Sequence, residues 1–500
     1  MIFNDLAHIL KTHVSDDDWE RIKDLPITGF VSDSRKVAHG EIFVLLSVNP
    51  DITSKAKGYI DSIDSPAVLS EISASDMGVD NAKMPIVHIA DLRLILGDLV
   101  GAYLQKTETV NLPKVMAVTG TNGKTTISQL TAQLLSLANH KTAVMGTAGN
   151  GILPNLTPST HTTLEVLALQ HALYDYAKAD VAYVALEASS HGLHQHRLQG
   201  VPISVAVYSN LSRDHLDYHA DMDDYAEAKA RLFDKTLFPT LTHAIINLDD
   251  EFSEIFIRQA KASGLTVWTY STQNPNATFF AKDISPSLNG VDLVIQTPQG
   301  EMTVKSPLLG LFNVSNLLAS IGASLAMGVS FNEINNNIKH LKGARGRMEQ
   351  VPSERGSFIV DYAHTPDALT QVLTSLKAHC TGKLIAVFGC GGDRDKGKRP
   401  LMAQAGLALA DKVILTSDNP RSENPNAILS DMQVGMTCDE HYRTVIEPDR
   451  KRAIELAIKE AGERDIVVIA GKGHETYQEI NGVRHEFDDV AVVKELLSHA

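Results

Sequence analysis

Val118-Thr119-Gly120-Thr121-Asn122-Gly123-Lys124-Thr125-Thr126 decides the fold. The apolar run Val115-Met116-Ala117-Val118 enters this stretch as a short buried strand. Ile127, Leu130, Leu134, Leu135 and Leu137 leave it at helical spacing. Glycines between a strand and a helix let the backbone curl until several N–H groups face one anion, and the helix N-terminus adds the positive end of its dipole. Lys124 then reaches β- and γ-phosphates, and the Thr125 hydroxyl suits Mg²⁺. The loop is of a short form, because Val118 stands where the common phosphate loop has its first glycine. The stretch predicts nucleotide binding. The plain alternative is a glycine-rich turn with a surface lysine.

Outward from the loop, residues 181–186, 203–208 and 244–246 read as further strands alternating with helices, which predicts a parallel sheet covered on both faces. The last third repeats the pattern, with strands at 358–360, 384–388, 413–415 and 466–469 and helices at 367–377 and 451–461. Before the loop, residues 41–46 and 85–89 read as strands. Leu92, Leu94, Ile95, Leu99 and Tyr103 mark one helix face, broken at Asn111-Leu112-Pro113. A chain of 500 residues suits three α/β domains, placed at 1–92, 93–343 and 344–500. The turn-rich Lys342-Gly343-Ala344-Arg345-Gly346-Arg347 is the expected hinge.

Composition narrows the classes. A hydrophobic fraction of 43% with 21% charged residues excludes wholesale disorder. A net charge of −15 argues against a general nucleic-acid binder but leaves room for a local phosphate site. Cys380, Cys390 and Cys438 form no C-x-x-C pair and read as buried free thiols of a reducing compartment. Met1-Ile2-Phe3-Asn4-Asp5 lacks a signal-peptide pattern, and no apolar run reaches the roughly 18 residues of a membrane span. A soluble cytoplasmic protein is expected.

Glu187 ends the strand 181–186, where a carboxylate faces the ligand crevice of a parallel sheet or merely solvent. His191, His194 and His196 follow in Ser189-Ser190-His191-Gly192-Leu193-His194-Gln195-His196-Arg197. With no cysteine near, polar groups for an anionic substrate, or a solvated loop, suit this segment better than zinc. His215 in residues 210–219 reads as a metal ligand or a core histidine, and Lys229 on a short amphipathic helix as a surface lysine. Arg394 lies in a basic run, 391–399, that is either a solvated charge cluster or an anion site.

Taken in order, residues 119–126, Glu187-Ala188-Ser189-Ser190-His191-Gly192, residues 210–219, Lys229, Gly310-Leu311-Phe312-Asn313-Val314-Ser315-Asn316, Gly346-Arg347-Met348-Glu349, Asp361-Tyr362-Ala363-His364-Thr365-Pro366 and Gly471-Lys472-Gly473-His474-Glu475 resemble the Mur ligase family. These are ATP-dependent amide-forming enzymes of peptidoglycan synthesis. The resemblance implies a small N-terminal α/β domain for a uridine nucleotide, a central P-loop ATPase domain and a C-terminal Rossmann-like domain for the incoming amino acid. It implies ATP and Mg²⁺ as cofactors, a monomer, and neither nucleic acid nor membrane as partner.

Carried over residue by residue, the resemblance gives Gly120 to Thr126, Asn316, Arg347, Asp361 and His364 to ATP. Thr125 and Glu187 would hold one Mg²⁺, and His215 with Lys229, as its carbamate, a second. Lys124, Glu187, His215 and Lys229 would be catalytic. Ser34, Thr162, Thr163, Ser189, Gln195 and Arg197 would contact a UDP-N-acetylmuramoyl-L-alanyl-D-glutamate substrate. Arg394, Asp418, Asn419, Pro420, Arg421, Gly471 and Glu475 would form the amino-acid pocket.

Asp418-Asn419-Pro420-Arg421 resembles the family motif that selects meso-diaminopimelate. A guanidinium grips the distal carboxylate of that amino acid bidentately, and lysine lacks the carboxylate. Outside the family context, Asn-Pro is an ordinary turn pair. Two segments depart from the pattern. Asn49-Pro50-Asp51-Ile52-Thr53 stands where the family has His-x-x-Asp-Gly, and His161-Thr162-Thr163 where it has Asn-Thr-Thr. A lysine-adding ligase and a folylpolyglutamate synthase are the rivals on the same scaffold. A guanine-nucleotide switch is disfavoured, because Asn247-Leu248-Asp249-Asp250 lacks the lysine of its Asn-Lys-x-Asp motif.

Overall fold

The computed structural model describes residues 1–47, 52–79, 82–159 and 161–499. Asn49, Pro50 and Asp51, at the first departure from the family pattern, lie outside the described residues.

Strands Gly29–Val31, Glu41–Leu45, Val68–Ser70 and Ile86–His88 form a parallel sheet in chain order. Alternate side chains separate its two faces. Ile42, Val44, Leu69 and Val87 pack with Phe3, Leu6 and Trp19, while Phe43, Leu45 and Val68 meet Ala56 and Ile60 of helix Ile52–Asp61. Helix Leu92–Thr107 extends the first of these cores onto Val166 and Tyr174 of helix Val166–Lys178.

The second sheet has ten strands, and Lys114–Thr119 lies inside it between Tyr183–Glu187 and Ile203–Tyr208. Val118 pairs opposite Glu187 and Thr119 opposite Tyr208, so all three strands release their C-terminal residues at one edge. Strand order departs in both directions from Lys114–Thr119, and such a switch point opens a crevice. Val115 and Ala117 face one core and Met116 and Val118 the other, which is why the run is apolar throughout. The strand–helix alternation does not anticipate Phe279–Ser287, Gly290–Thr297 and Gly300–Ser306, an antiparallel meander on one edge. A register shift between Lys282 and Ser285 interrupts its alternation.

The third sheet runs Glu349–Val351, Ser357–Asp361, Ile466–Ala470, Leu384–Phe388, Lys412–Leu415, Thr444–Ile446, parallel except for its first pair. Its strand ends lead into the segments around Asp361, Arg394, Asp418 and Gly471. A hairpin, Tyr477–Ile480 with Val483–Glu486, follows. Two readings change. Lys398 and Arg399 are not loop but the buried first turn of helix Lys398–Leu409. Of the three free cysteines only Cys390 is buried, and Cys438 is exposed. Among the described residues no helix is long and apolar enough to cross a membrane.

Candidate active site

Backbone geometry builds the phosphate loop. Gly120 and Gly123 have φ of +146° and +87°, which L side chains rarely adopt. A Cβ on Gly120 would strike the Ser209 hydroxyl, and one on Gly123 would lie 2.5 Å from Asn316 Oδ1. The neighbouring strand end pins the loop. Thr121 N donates to Asn210 O (2.7 Å), Asn122 N to Asn210 Oδ1 (3.0 Å) and Ser209 Oγ to Asn122 O (2.6 Å). Helix Lys124–Leu137 starts immediately after.

Two ammonium groups converge on one carbonyl. Lys124 Nζ and Lys229 Nζ each donate to Gly120 O at 2.8 Å. Lys229, a surface lysine by sequence pattern, is 1% exposed and lies over the Tyr225 ring. Burial, and then the charge of Lys124, push its ammonium well below the usual lysine range. Burial likewise lowers Lys124.

Glu187 is buried, with Oε1 accepting from Thr147 N and Oε2 from Thr147 Oγ1, both at 3.0 Å. Thr147 Oγ1 also accepts from Thr162 Oγ1 (3.0 Å), and Thr163 Oγ1 donates to Glu187 O (2.8 Å). The loop 161–163 is thereby tied to the strand end. Ser189 N donates to Thr163 Oγ1 (3.0 Å), and the Ser189 hydroxyl caps the short helix Ser190–His194. Arg197 donates to Thr163 O (3.0 Å) and, through Nε and Nη2, to Gln195 Oε1.

His215 sits at φ +55° and is pushed down to about 3, chiefly by burial, so it is a neutral imidazole at working pH. Its ring meets that of His191 at 5.0 Å. The sequence reading passes over the adjacent Asp214. This carboxylate lies 3.8 Å from His364 Nε2 and 3.8 Å from Lys398 Nζ, both on the third-sheet segment. Burial opposes its ionisation, but His364, His215 and Lys398 together hold it well below the usual range. Arg347 also crosses, donating to Thr125 Oγ1 at 3.3 Å from above the Tyr362 ring, and among the described residues its buried Nε has no hydrogen-bond partner.

Two clefts flank this junction. The smaller, about 790 Å³, is lined by Asn122, Gly123, Asn316, Asn247, Phe312 and Asp367. The larger, about 970 Å³, brings Thr162 and His215 together with His364 and Arg394. Asp418, Asn419, Arg421, Gly471 and Glu475 complete it. Lys124, Thr125, Glu187 and Lys229 line neither cleft. Asp361 spends both oxygens on the backbone N–H groups of Met348 and Ala363 (2.7 Å each). Ser34 opens the turn Ser34–Lys36 in the N-terminal layer and lines neither cleft.

In the larger cleft Arg421 takes φ +51° and donates from Nη1 to Gly392 O (2.8 Å). Its backbone is clamped by the hairpin, with Arg421 N donating to Glu479 O (3.0 Å) and Asn481 N to Arg421 O (2.7 Å). The Pro420 carbonyl abuts Gly392, where a Cβ would collide with it. Asn419 Nδ2 donates to Glu475 Oε2 at 2.8 Å. Arg399, buried, donates to both oxygens of Glu423 and to Asp431, fixing the base of the Asp418–Arg421 turn. Among the described residues no group of three or more His, Cys, Asp or Glu side chains is arranged to hold a metal ion.

The family profile described as Mur ligase middle domain matches residues 118–324, and that described as Mur ligase, glutamate ligase domain matches 346–473. The UDP-N-acetylmuramoyl-L-alanyl-D-glutamate--2,6-diaminopimelate ligase of Pseudomonas aeruginosa is 39% identical over 95% of this chain and 96% of its own. The chain belongs to the Mur ligase family. A solved structure of a UDP-N-acetylmuramoyl-L-alanyl-D-glutamate--2,6-diaminopimelate ligase is 48% identical, covers 95% of each chain and superposes with a TM-score of 0.70. A Mycobacterium tuberculosis folylpolyglutamate synthase complexed with ADP and AMPPCP is 18% identical (TM-score 0.64, covering 81% of this chain and 94% of its own) and shares the Mur ligase fold alone.

Proposed function

We propose that this Mur ligase joins meso-diaminopimelate to UDP-N-acetylmuramoyl-L-alanyl-D-glutamate, with ATP cleaved to ADP and phosphate. The observation that carries the reading is the larger cleft. It sets His215 and Thr162 of the phosphate-loop domain opposite Arg394, Asp418, Arg421 and Glu475. Similarity to diaminopimelate ligases over 95% of the chain supports it. In this reading residues 1–92 bind the uridine nucleotide, 93–343 bind ATP and 344–500 bind the amino acid.

A carboxylate is a poor electrophile. One of its oxygens attacks the γ-phosphorus, ADP departs, and the acyl phosphate carries a good leaving group. The diaminopimelate amine adds to the carbonyl carbon, phosphate leaves with the bridging oxygen, and the amine loses its proton. Lys124, the N–H groups at 120–125 and Arg347 neutralise phosphate charge, which is most of the catalysis such a reaction needs. Asn122, Gly123 and Asn316 face the nucleoside side, and Ser189, Gln195 and Arg197 the muramoyl dipeptide.

The residues fit Mg²⁺ in their donor chemistry, since Thr125, Glu187, His215 and the carbamate of Lys229 would offer oxygens and a neutral imidazole. Bound there, Mg²⁺ supplies charge neutralisation for the phosphates. The depressed Lys229 ammonium favours a neutral amine, the form that adds carbon dioxide. An unmodified Lys⁺ could not be a ligand.

The test is phosphate release with ATP, Mg²⁺ and the UDP-dipeptide, adding meso-diaminopimelate or L-lysine in parallel. Release with meso-diaminopimelate, with a product of the amide's mass, is the expected result. Release with lysine alone would transfer the reading to a lysine-adding ligase, and no release with either would overturn it.

A further inference from the structure

Lys472 is fully buried, lines neither cleft and has no part in the mechanism above. Its ammonium nevertheless sits directly behind the wall of the proposed amino-acid pocket. Nζ donates to Asn419 Oδ1 (3.1 Å) and Glu475 Oε2 (3.1 Å) and lies 3.8 Å from Asp418 Oδ1. Asn419 Oδ1 also accepts from Glu479 N (2.9 Å), which orients the amide so that Nδ2 reaches Glu475. Among the described residues, Asp418 Oδ1 is buried without a hydrogen-bond partner.

We infer that Lys472 is a positioning residue that sets amino-acid selectivity by holding Asp418 and Glu475 together and by keeping the pocket net positive. Two carboxylates within reach of one site repel, and a buried charge left without a counter-charge turns outward or takes a proton. Lys472 removes that conflict behind the pocket wall. Asp418, with Oδ1 buried beside Lys472, keeps its place on the cleft wall. With Arg394 and Arg421 on the cleft wall, positive groups then outnumber Asp418 and Glu475. An amino acid ending in both an ammonium and a carboxylate is favoured. One ending in a bare ammonium meets excess positive charge. Without Lys472 the pocket becomes neutral, and the penalty against lysine shrinks.

The inference rests on the proposed function, and the experiment separates the two. Wild-type chain, Lys472→Met and Lys472→Gln are assayed for ATP-dependent ligation of meso-diaminopimelate and of L-lysine, with KM and kcat for each substrate. Wild-type turnover with meso-diaminopimelate tests the underlying reading, independently of the variants. For both variants the expected result is a KM for meso-diaminopimelate raised about 10-fold or more, consistent with losing a charged hydrogen bond. The KM for ATP should be unchanged, and the diaminopimelate-to-lysine ratio of kcat/KM lowered. A merely structural lysine would lower the active fraction, and so kcat, without moving that ratio, and this outcome would overturn the inference. Lys472→Gln keeps a donor for Asn419 and carries the same readout if the methionine variant does not fold.

Discussion

The phosphate loop and the proposed amino-acid pocket are built in opposite ways. Nine consecutive residues, 118–126, make the loop, and its shape comes from backbone at Gly120 and Gly123. The pocket draws on Gly391-to-Lys398, Asp418-to-Arg421 and Gly471-to-Glu475, braced by the hairpin that begins at Tyr477, and its shape comes from side-chain pairing. Backbone anion binding tolerates any phosphate ligand. Side-chain pairing distinguishes one amino acid from another. A local motif can therefore announce the reaction class, while selectivity depends on contacts between residues far apart in sequence.

Substitutions should separate the two regions. Lys124→Ala should lower kcat on the order of 10³-fold by removing charge stabilisation of the phosphoryl group. Thermal unfolding should stay near wild type, because among the described residues the hydrogen bonds of Lys124 go to its own loop carbonyls at Gly120 and Thr121. Arg421→Ala should raise the KM for meso-diaminopimelate about 100-fold, the size expected for a lost charge-assisted pair, and leave the KM for ATP unchanged. Equal loss for both substrates would erase the contrast between the regions.

The next effect is on stability. Arg450 and Asp489 form a fully buried ion pair, and Arg450 Nη2 also donates to Ala470 O (2.9 Å) beside Gly471. Arg450→Met should destabilise the chain by about 3–5 kcal/mol in denaturant titration, because it leaves Asp489 buried and unpaired.

The smallest effect concerns pH. His474 is pushed down to about 3, first by burial and then by Arg347, so the folded chain holds it neutral while the unfolded chain protonates it below its ordinary 6.5. Between those values the unfolded state binds more protons. Stability therefore rises with pH across that window and is lost on acidification. His474→Asn should flatten the decline in melting temperature between pH 6.5 and 5, measured by calorimetry; an unchanged slope would contradict this account of His474.

Legibility followed the same divide. The strand, loop and helix around Lys124 are continuous in sequence, and Glu187 ends an apolar run, so each could be read directly. Lys398 and Arg399 looked solvated because they are charged. They are buried because Asp214, Glu423 and Asp431 meet them from remote segments. Asp214 gave no periodic signal, although its place beside His215 was a usable hint. Lys472 lay inside a motif already singled out, but only the fold shows which carboxylates it serves. The meander at 279–306 escaped because Pro286 and a register shift break its alternation.

In the proposed reaction the substrate carboxylate is activated by the phosphoryl group between the two clefts. Turnover of UDP-N-acetylmuramoyl-L-alanyl-D-glutamate labelled with ¹⁸O in the reacting carboxylate, followed by mass spectrometry of the released phosphate, tests it most directly. An acyl phosphate requires one labelled oxygen to appear in phosphate for each amide formed. Unlabelled phosphate from a reaction that still makes the amide would contradict the account.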